Sequence, residues 1–140
     1  MATHLNASRS MRTLIAILAL AACTTGANVA QLQDRGWTLV SITGVPTLPA
    51  GVKTPTIRFG SDGRLSGDTG CNRASATYTI EGDRLTIGPM ITTKRACVAP
   101  EGNTLERAYV EAIGRTTRYR IAQNELELLE ASGDAVARFR

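Results

Sequence analysis

The 140-residue sequence predicts an α+β fold that is mostly antiparallel β-sheet, with about seven or eight strands and one helix. Short segments that alternate polar with apolar residues recur between turn residues, a pattern typical of strands with one buried face. One later segment has apolar residues at helical spacing instead. We expect a sheet of this size to curl, or to form a half-barrel, with the helix packed against it or plugging it.

Eight segments show the strand pattern, and turn residues separate them. They cover residues 36–42, 57–59, 64–66, 77–80, 84–87, 118–121, 125–128 and 135–139. The dipeptide Asp62-Gly63 follows the second segment, and Gly82-Asp83 follows the fourth. Both dipeptides predict hairpins, because glycine and aspartate tolerate the positive φ angles of tight turns.

The helix is predicted from five apolar residues that share one face at a spacing of about 3.6 residues. These residues are Leu105, Ala108, Tyr109, Ala112 and Ile113. Asn103 with Glu106 three positions later is close to a capping box and predicts where the helix begins. Gly114 suits its end.

Residues 1–22 have the composition of a lipoprotein signal peptide. Arg9 and Arg12 precede an apolar run at 14–20 that is too short to cross a bilayer, which takes about 20 apolar residues. The run ends in Leu20-Ala21-Ala22-Cys23, the order of a bacterial lipobox, in which a peptidase cuts before a lipid-bearing cysteine. The alternative is an ordinary signal peptide that happens to end near a cysteine.

Lipidation of Cys23 would hold the protein on a membrane of the bacterial envelope, since stable attachment takes roughly two lipid chains. Thr24 follows the cysteine, where a signal for inner-membrane retention is usually Asp. The sequence therefore favours the outer membrane, on the side facing the periplasm. Small and polar residues at 23–35 predict a tether, and residues 36–140 are predicted to form the domain.

Cleavage before Cys23 leaves 118 of the 140 residues, with 14 basic against 12 acidic side chains. This near balance gives no support to a nucleic-acid partner. The only histidine, His4, is lost with the signal peptide, so Ser-His-Asp and Cys-His catalysis and histidine-rich zinc sites are excluded. We predict no metal and no cofactor.

Cys71 and Cys97 remain once Cys23 is assigned to lipid. An even pair in an oxidising compartment predicts one disulfide. Two buried thiols or a redox pair are the alternatives, although the spacing is not the Cys-x-x-Cys of a redox motif. The surrounding loop, with Gly70, Asn72 and Arg73, is either a surface loop presenting polar groups to a ligand or a tight turn stapled by the disulfide.

The order of these landmarks resembles the META domain of HslJ-like heat-shock lipoproteins. The resemblance covers about residues 36–139 and is carried by the following segments: Trp37-Thr38-Leu39, Ile57-Arg58-Phe59, Gly70-Cys71-Asn72-Arg73, Thr93-Lys94-Arg95-Ala96-Cys97, the helix with Leu105 and Tyr109, and Leu126-Glu127-Leu128. One departure is Ala74-Ser75-Ala76, where the family usually has an aromatic residue. The resemblance implies a β-rich domain, often lipid-anchored or periplasmic, associated with heat and envelope stress. It implies no agreed enzymatic activity and no catalytic residue.

We therefore expect a non-enzymatic envelope lipoprotein that serves as an interaction or stress-protective module, with the membrane and an envelope protein as partners. One alternative is a binder of a small apolar ligand inside the curled sheet. Tight packing by Phe59, Tyr78, Leu85 and Leu126 would count against it. The other is a hydrolase that uses carboxylates alone, with Glu125 and Glu127 on one strand face as its candidate pair.

Overall fold

The computed structural model of the protein describes residues 28–140, so the predicted signal peptide and Cys23 lie outside the described residues. In chain order the elements are β1 (Gly36–Ile42), β2 (Thr56–Phe59), β3 (Arg64–Asp68), β4 (Arg73–Glu81), β5 (Arg84–Ile87), β6 (Ile91–Thr92), α1 (Pro100–Arg115), β7 (Arg118–Ala122), β8 (Glu125–Leu129) and β9 (Ala135–Phe139). Residues 28–32 are also helical. Within residues 28–140 no helix has the length and apolar character needed to cross a membrane.

The strands form one antiparallel sheet that closes on itself as a ring. Hydrogen bonding runs in the order β1, β2, β3, β4, β5, β7, β8, β9 and returns to β1. The contact between β5 and β7 is the narrowest in the ring, with the single residue pair Arg84 and Arg118. The short β6 continues the line of β5 along β4. The predicted fold class is confirmed, and all eight predicted strand segments are strands.

The alternating apolar and polar residues of the strands point to the inside and the outside of the ring, respectively. In β2, for example, Ile57 and Phe59 are buried whereas Arg58 between them is exposed. Phe59 packs edge-to-face on Tyr78, with 5.1 Å between the ring centroids. Phe59, Tyr78, Leu85 and Leu126 all belong to one buried apolar cluster, which is the arrangement that counts against an apolar ligand inside the ring.

Helix α1 packs against the ring at the end where β2 begins. Leu105, Tyr109, Ala112 and Ile113 are buried, and the Tyr109 hydroxyl donates a hydrogen bond to the Thr56 carbonyl oxygen at 2.9 Å. Burial raises the pKa of this phenol well above its usual value.

The helix begins at Pro100, so the predicted capping box at Asn103 is wrong. Proline suits the first helical position because the N–H it lacks would have no partner there. No side chain caps the helix at Ala99, and Glu106 is engaged elsewhere.

The opposite end of the ring, where β2 ends, is covered by the chain that precedes β1. Leu32 is fully buried, and its carbonyl oxygen accepts a hydrogen bond from Trp37 Nε1 at 3.0 Å. Gln33 pairs with Phe59, and Gln33 Nε2 donates to the Tyr78 hydroxyl at 2.9 Å. The predicted tether at 23–35 therefore ends too late, because the described part of it packs into the domain. Val29 and Leu32 are the large apolar residues among 28–35, too few to show a periodicity that could have indicated this.

Replacing Leu32 with alanine should lower the free energy of unfolding by about 2–5 kcal/mol, because a fully buried leucine leaves a cavity. Urea denaturation followed by circular dichroism measures this loss. Gln31→Ala, one residue earlier and exposed, is the control and should change stability by no more than about 0.5 kcal/mol. A Leu32→Ala protein as stable as the control would show that this segment is not part of the folded domain.

Candidate functional site

The loop between β3 and β4 meets the segment that leads into α1, and a disulfide joins the two. Cys71 in the loop is bonded to Cys97 in the segment, with 5.4 Å between their Cα atoms, a separation that suits a disulfide. We call residues 93–99 the stapled segment. The structure thus brings the two cysteines predicted to pair to the same place as the predicted loop residues Gly70, Asn72 and Arg73.

Asn72 lies beneath this surface, at only 3% exposure. Its Nδ2 donates to Glu106 Oε2 at 2.8 Å and to the Arg95 carbonyl oxygen at 3.1 Å. Its Oδ1 accepts from the Arg95 N–H at 2.9 Å and from Thr93 Oγ1 at 2.8 Å. All four hydrogen-bonding positions of the amide are therefore used. The idea that Asn72 presents polar groups to a ligand is wrong, because the side chain serves as an internal support.

Glu106 extends this support into the helix. Its Oε2 accepts hydrogen bonds from Asn72 Nδ2 at 2.8 Å and from Thr69 Oγ1 at 2.9 Å. Thr69 is fully buried, and its hydroxyl also accepts from the Asn72 N–H at 2.9 Å. A network of side chains thus ties the loop, the stapled segment and α1 together. Thr69 and Glu106 are 37 positions apart, so their pairing has no local sequence signal.

Gly70 is required by both conformation and space. Its φ is +93°, which side-chain-bearing residues rarely adopt. A Cβ atom there would lie 2.7 Å from the Lys53 carbonyl oxygen. Arg73 is exposed, and its backbone N–H donates to Thr93 Oγ1 at 3.1 Å. Of the predicted loop residues, Gly70 and Asn72 are structural, and Arg73 alone offers a side chain to solvent.

An open cleft of about 340 Å³ lies over the disulfide, and we call it the disulfide cleft. Gly51, Gly70, Gly102 and Val98 are among its lining residues, together with the basic Lys53 and Arg95. Lys53 Nζ lies 2.6 Å from Asp68 Oδ2, whereas Val98 is wholly exposed. No sequence pattern grouped Lys53, Arg95 and Val98 into one site, since their proximity arises only from the disulfide and the fold.

The chemistry open to this site is limited by the state of its sulfur atoms. The Cys71 and Cys97 sulfurs and a Glu106 oxygen lie within 4.8 Å of one another, a grouping that could in principle hold a metal ion. Cysteine binds metals as the thiolate, and both sulfurs are held in the disulfide, so the oxidised protein cannot use them as such ligands. The arrangement instead provides a fixed surface with apolar and basic groups.

The carboxylates proposed for a hydrolase have a different environment. Glu127 on β8 is bound by Arg120 and by Arg138, whose Nε lies 3.0 Å from its Oε1. Each of its two carboxylate oxygens is therefore paired with an arginine on the outer face of the ring. Glu125 is exposed at the start of the same strand. Arg115 and Arg118 likewise pair with Glu130 and Asp83, so these four arginines each have a carboxylate partner.

Changing Asn72 to aspartate should lower the free energy of unfolding by about 3 kcal/mol at pH 7. The substitution removes two donors and places a second carboxylate against Glu106 Oε2. The deficit relative to the unmodified protein should shrink as the pH falls to about 4, because protonation of the introduced carboxylate relieves the repulsion.

Urea denaturation of both proteins at pH 7 and pH 4 measures this difference. Asn124→Asp, at an exposed turn position, is the matched control and should stay close to the unmodified protein at both values. A constant deficit across this pH range would contradict the contact between the two acids.

The purified protein should be two hydrogen atoms lighter by intact mass before reduction than after it, because Cys71 and Cys97 are bonded. Closing a loop of 26 positions is worth about 3.5 kcal/mol on the chain-entropy model, so reduction should lower the denaturation midpoint measurably. The doubly substituted Cys71→Ser, Cys97→Ser protein serves as control, since a reductant should not change its midpoint. Alkylation of two thiols in the unreduced folded protein would refute the disulfide.

Comparisons with known proteins agree with this architecture. An NMR structure of a protein from Burkholderia xenovorans is 25% identical, with a TM-score of 0.63 over 93% of this chain and 98% of that chain. A second NMR structure is 26% identical, with a TM-score of 0.62 over 79% of this chain and 92% of that chain. No curated protein matches the sequence. The sequence profile of the META domain matches residues 30–140, which includes Leu32 and the whole ring, and the chain therefore belongs to the META domain family.

Proposed function

We propose that this protein is a bacterial envelope lipoprotein, anchored through lipid on Cys23 and facing the periplasm from the outer membrane. Its META domain acts by binding another protein and not by catalysis, as an HslJ-like module that protects the envelope during heat or related stress. The observation that carries the binding role is the stapled segment, which is exposed and yet held by a disulfide and a buried amide.

The anchor is supported by the order of residues before the domain. An apolar run ends in Leu20-Ala21-Ala22-Cys23, and Leu32 is already buried in the folded domain. Cys23 is five positions ahead of Asn28, so a chain of about 3.5 Å per residue reaches no more than roughly 18 Å between them. A lipid on Cys23 would therefore keep the domain close to the bilayer.

The binding role is supported by how the stapled segment is held. An exposed segment without regular structure is ordinarily mobile, since few contacts oppose its conformational entropy. The shape of the stapled segment is fixed by the disulfide, by the two hydrogen bonds that Asn72 Oδ1 accepts, and by the hydrogen bond from the Thr93 N–H to the Arg73 carbonyl oxygen. Such support at an exposed surface favours recognition, because a pre-ordered surface loses little entropy when a partner binds.

The protective role is supported by the construction of the domain. A ring of strands pairs edges that an open sheet would expose to aggregation. A disulfide further lowers the entropy of the unfolded chain. A domain built this way is suited to work while other envelope proteins unfold. The binding role is favoured over hydrolysis because Glu127 is neutralised by two arginines and lacks a free carboxylate oxygen.

Radiolabelled palmitate should enter the protein in growing cells and should fail to enter the Cys23→Ser variant. The Cys71→Ser, Cys97→Ser protein is the matched control and should keep the label, because those two cysteines lie in the folded domain. Label in Cys23→Ser would refute the lipobox.

The same cells test the binding role. Crosslinking in intact cells during heat stress should enrich at least one envelope protein with the lipidated form, compared with the Cys23→Ser form. Equal recovery from both forms, stressed and unstressed, would remove the support for an anchored interaction module.

A further inference from the structure

We infer that the stapled segment and the disulfide cleft together form a docking surface for a partner protein segment that has an apolar side chain flanked by carboxylates. This inference rests on the proposed binding role and specifies the chemistry of the partner. Four features of the described residues support it: exposed apolar groups, uncompensated positive charge, a fixed shape and a position at the end of the ring opposite the chain before β1.

The apolar part of the surface is formed by residues that a monomer would be expected to bury. Val98 is wholly exposed and Ile91 is 72% exposed, and both lie in the nine positions from 91 to 99. Single exposed apolar residues are common, but Val98 lines the open cleft, and an exposed apolar group at a cleft is characteristic of interaction sites. The cleft of about 340 Å³ has three glycines among its lining residues, which leaves room for a side chain of a partner.

The charge of the surface determines which charge a partner should carry. Lys94 and Arg95 are both in the stapled segment, which has no acidic residue, and exposed Arg73 is adjacent to Thr93. Within residues 28–140 none of these three cations forms an ion pair. On the outer face of β7 to β9, in contrast, Arg118 and Arg120 each pair with a carboxylate. Uncompensated cations around an apolar group favour a partner with carboxylates.

The position of the surface favours a protein over a membrane. The chain before β1 contacts Phe59 at the end of β2, whereas α1 and the cleft lie near Thr56 at its start. The same separation holds on β4, where Tyr78 bonds Gln33 and Arg73 lies beside the stapled segment. The described chain enters the domain at the first of these ends, and the proposed lipid on Cys23 is only five positions before Asn28. The disulfide cleft would then face away from the bilayer, toward proteins of the periplasm.

A display library of random 12-residue peptides, selected against the oxidised protein, tests this inference. Enriched peptides should share an apolar residue with Asp or Glu close to it. Val98→Ser and Arg95→Glu should each weaken binding of a selected peptide by about tenfold or more, the size of loss expected for central interface residues. Both side chains are exposed, and circular dichroism should confirm that the variants remain folded.

Two matched controls separate this surface from a general effect. Val40→Ser changes an exposed valine on β1, and Arg84→Glu reverses an exposed arginine on β5, so both should leave peptide binding unchanged. Failure to enrich peptides, enrichment without acidic residues, or equal loss in the controls would overturn the inference. Binding to phosphatidylglycerol vesicles that depends on Arg95, without peptide binding, would overturn it in favour of a membrane contact.

The outcomes also distinguish this inference from the proposed function. Partners crosslinked in cells, together with peptides that ignore Val98 and Arg95, would keep the binding role and remove this surface. Peptide binding as expected, together with failed lipidation of Cys23, would keep the surface and remove the anchor.

Discussion

The hydrogen bonds of the Asn72 side chain connect three parts of the chain that are distant in sequence. Its amide bonds the backbone of Arg95 in the stapled segment and the carboxylate of Glu106 in α1, while its backbone belongs to the loop before β4. Because every donor and acceptor of the buried amide is used, loss of one partner would leave others unsatisfied away from water. The cleft, the exposed segment and the start of the helix are consequently arranged as one unit.

The closed ring gives this unit a rigid base. Closure pairs the strands on both sides, apart from short β6, and leaves the two ends of the ring to carry irregular structure. Helix α1 covers one end and the chain around Leu32 covers the other. The proposed docking surface therefore lies at the end opposite the chain that precedes β1. The interior is filled by side chains. The proposed binding role is therefore assigned to the outside of the ring, where loops supported by a scaffold commonly carry function.

The distribution of charge agrees with this division. Arginines along the outer faces of β7 and β9 are matched by carboxylates such as Glu127. Residues 28–140 hold 14 basic and 12 acidic side chains, and this near balance hides how uneven the pairing is. Within residues 28–140, Arg73, Lys94 and Arg95 around the stapled segment form no ion pair. A net charge therefore indicates little about recognition, whereas the position of compensated and uncompensated charges indicates a great deal.

The sequence by itself determined the strands, the helix and the family resemblance, because alternation, turn glycines and helical spacing are local signals that survive without tertiary context. It also pointed to Cys71 and Cys97 as a pair through simple counting. Only the tertiary structure decided that the sheet closes, that Leu32 belongs to the core, and that Asn72 is buried against Glu106. These features depend on contacts between residues far apart along the chain. The sequence around such residues has no periodic pattern from which the contacts could be predicted.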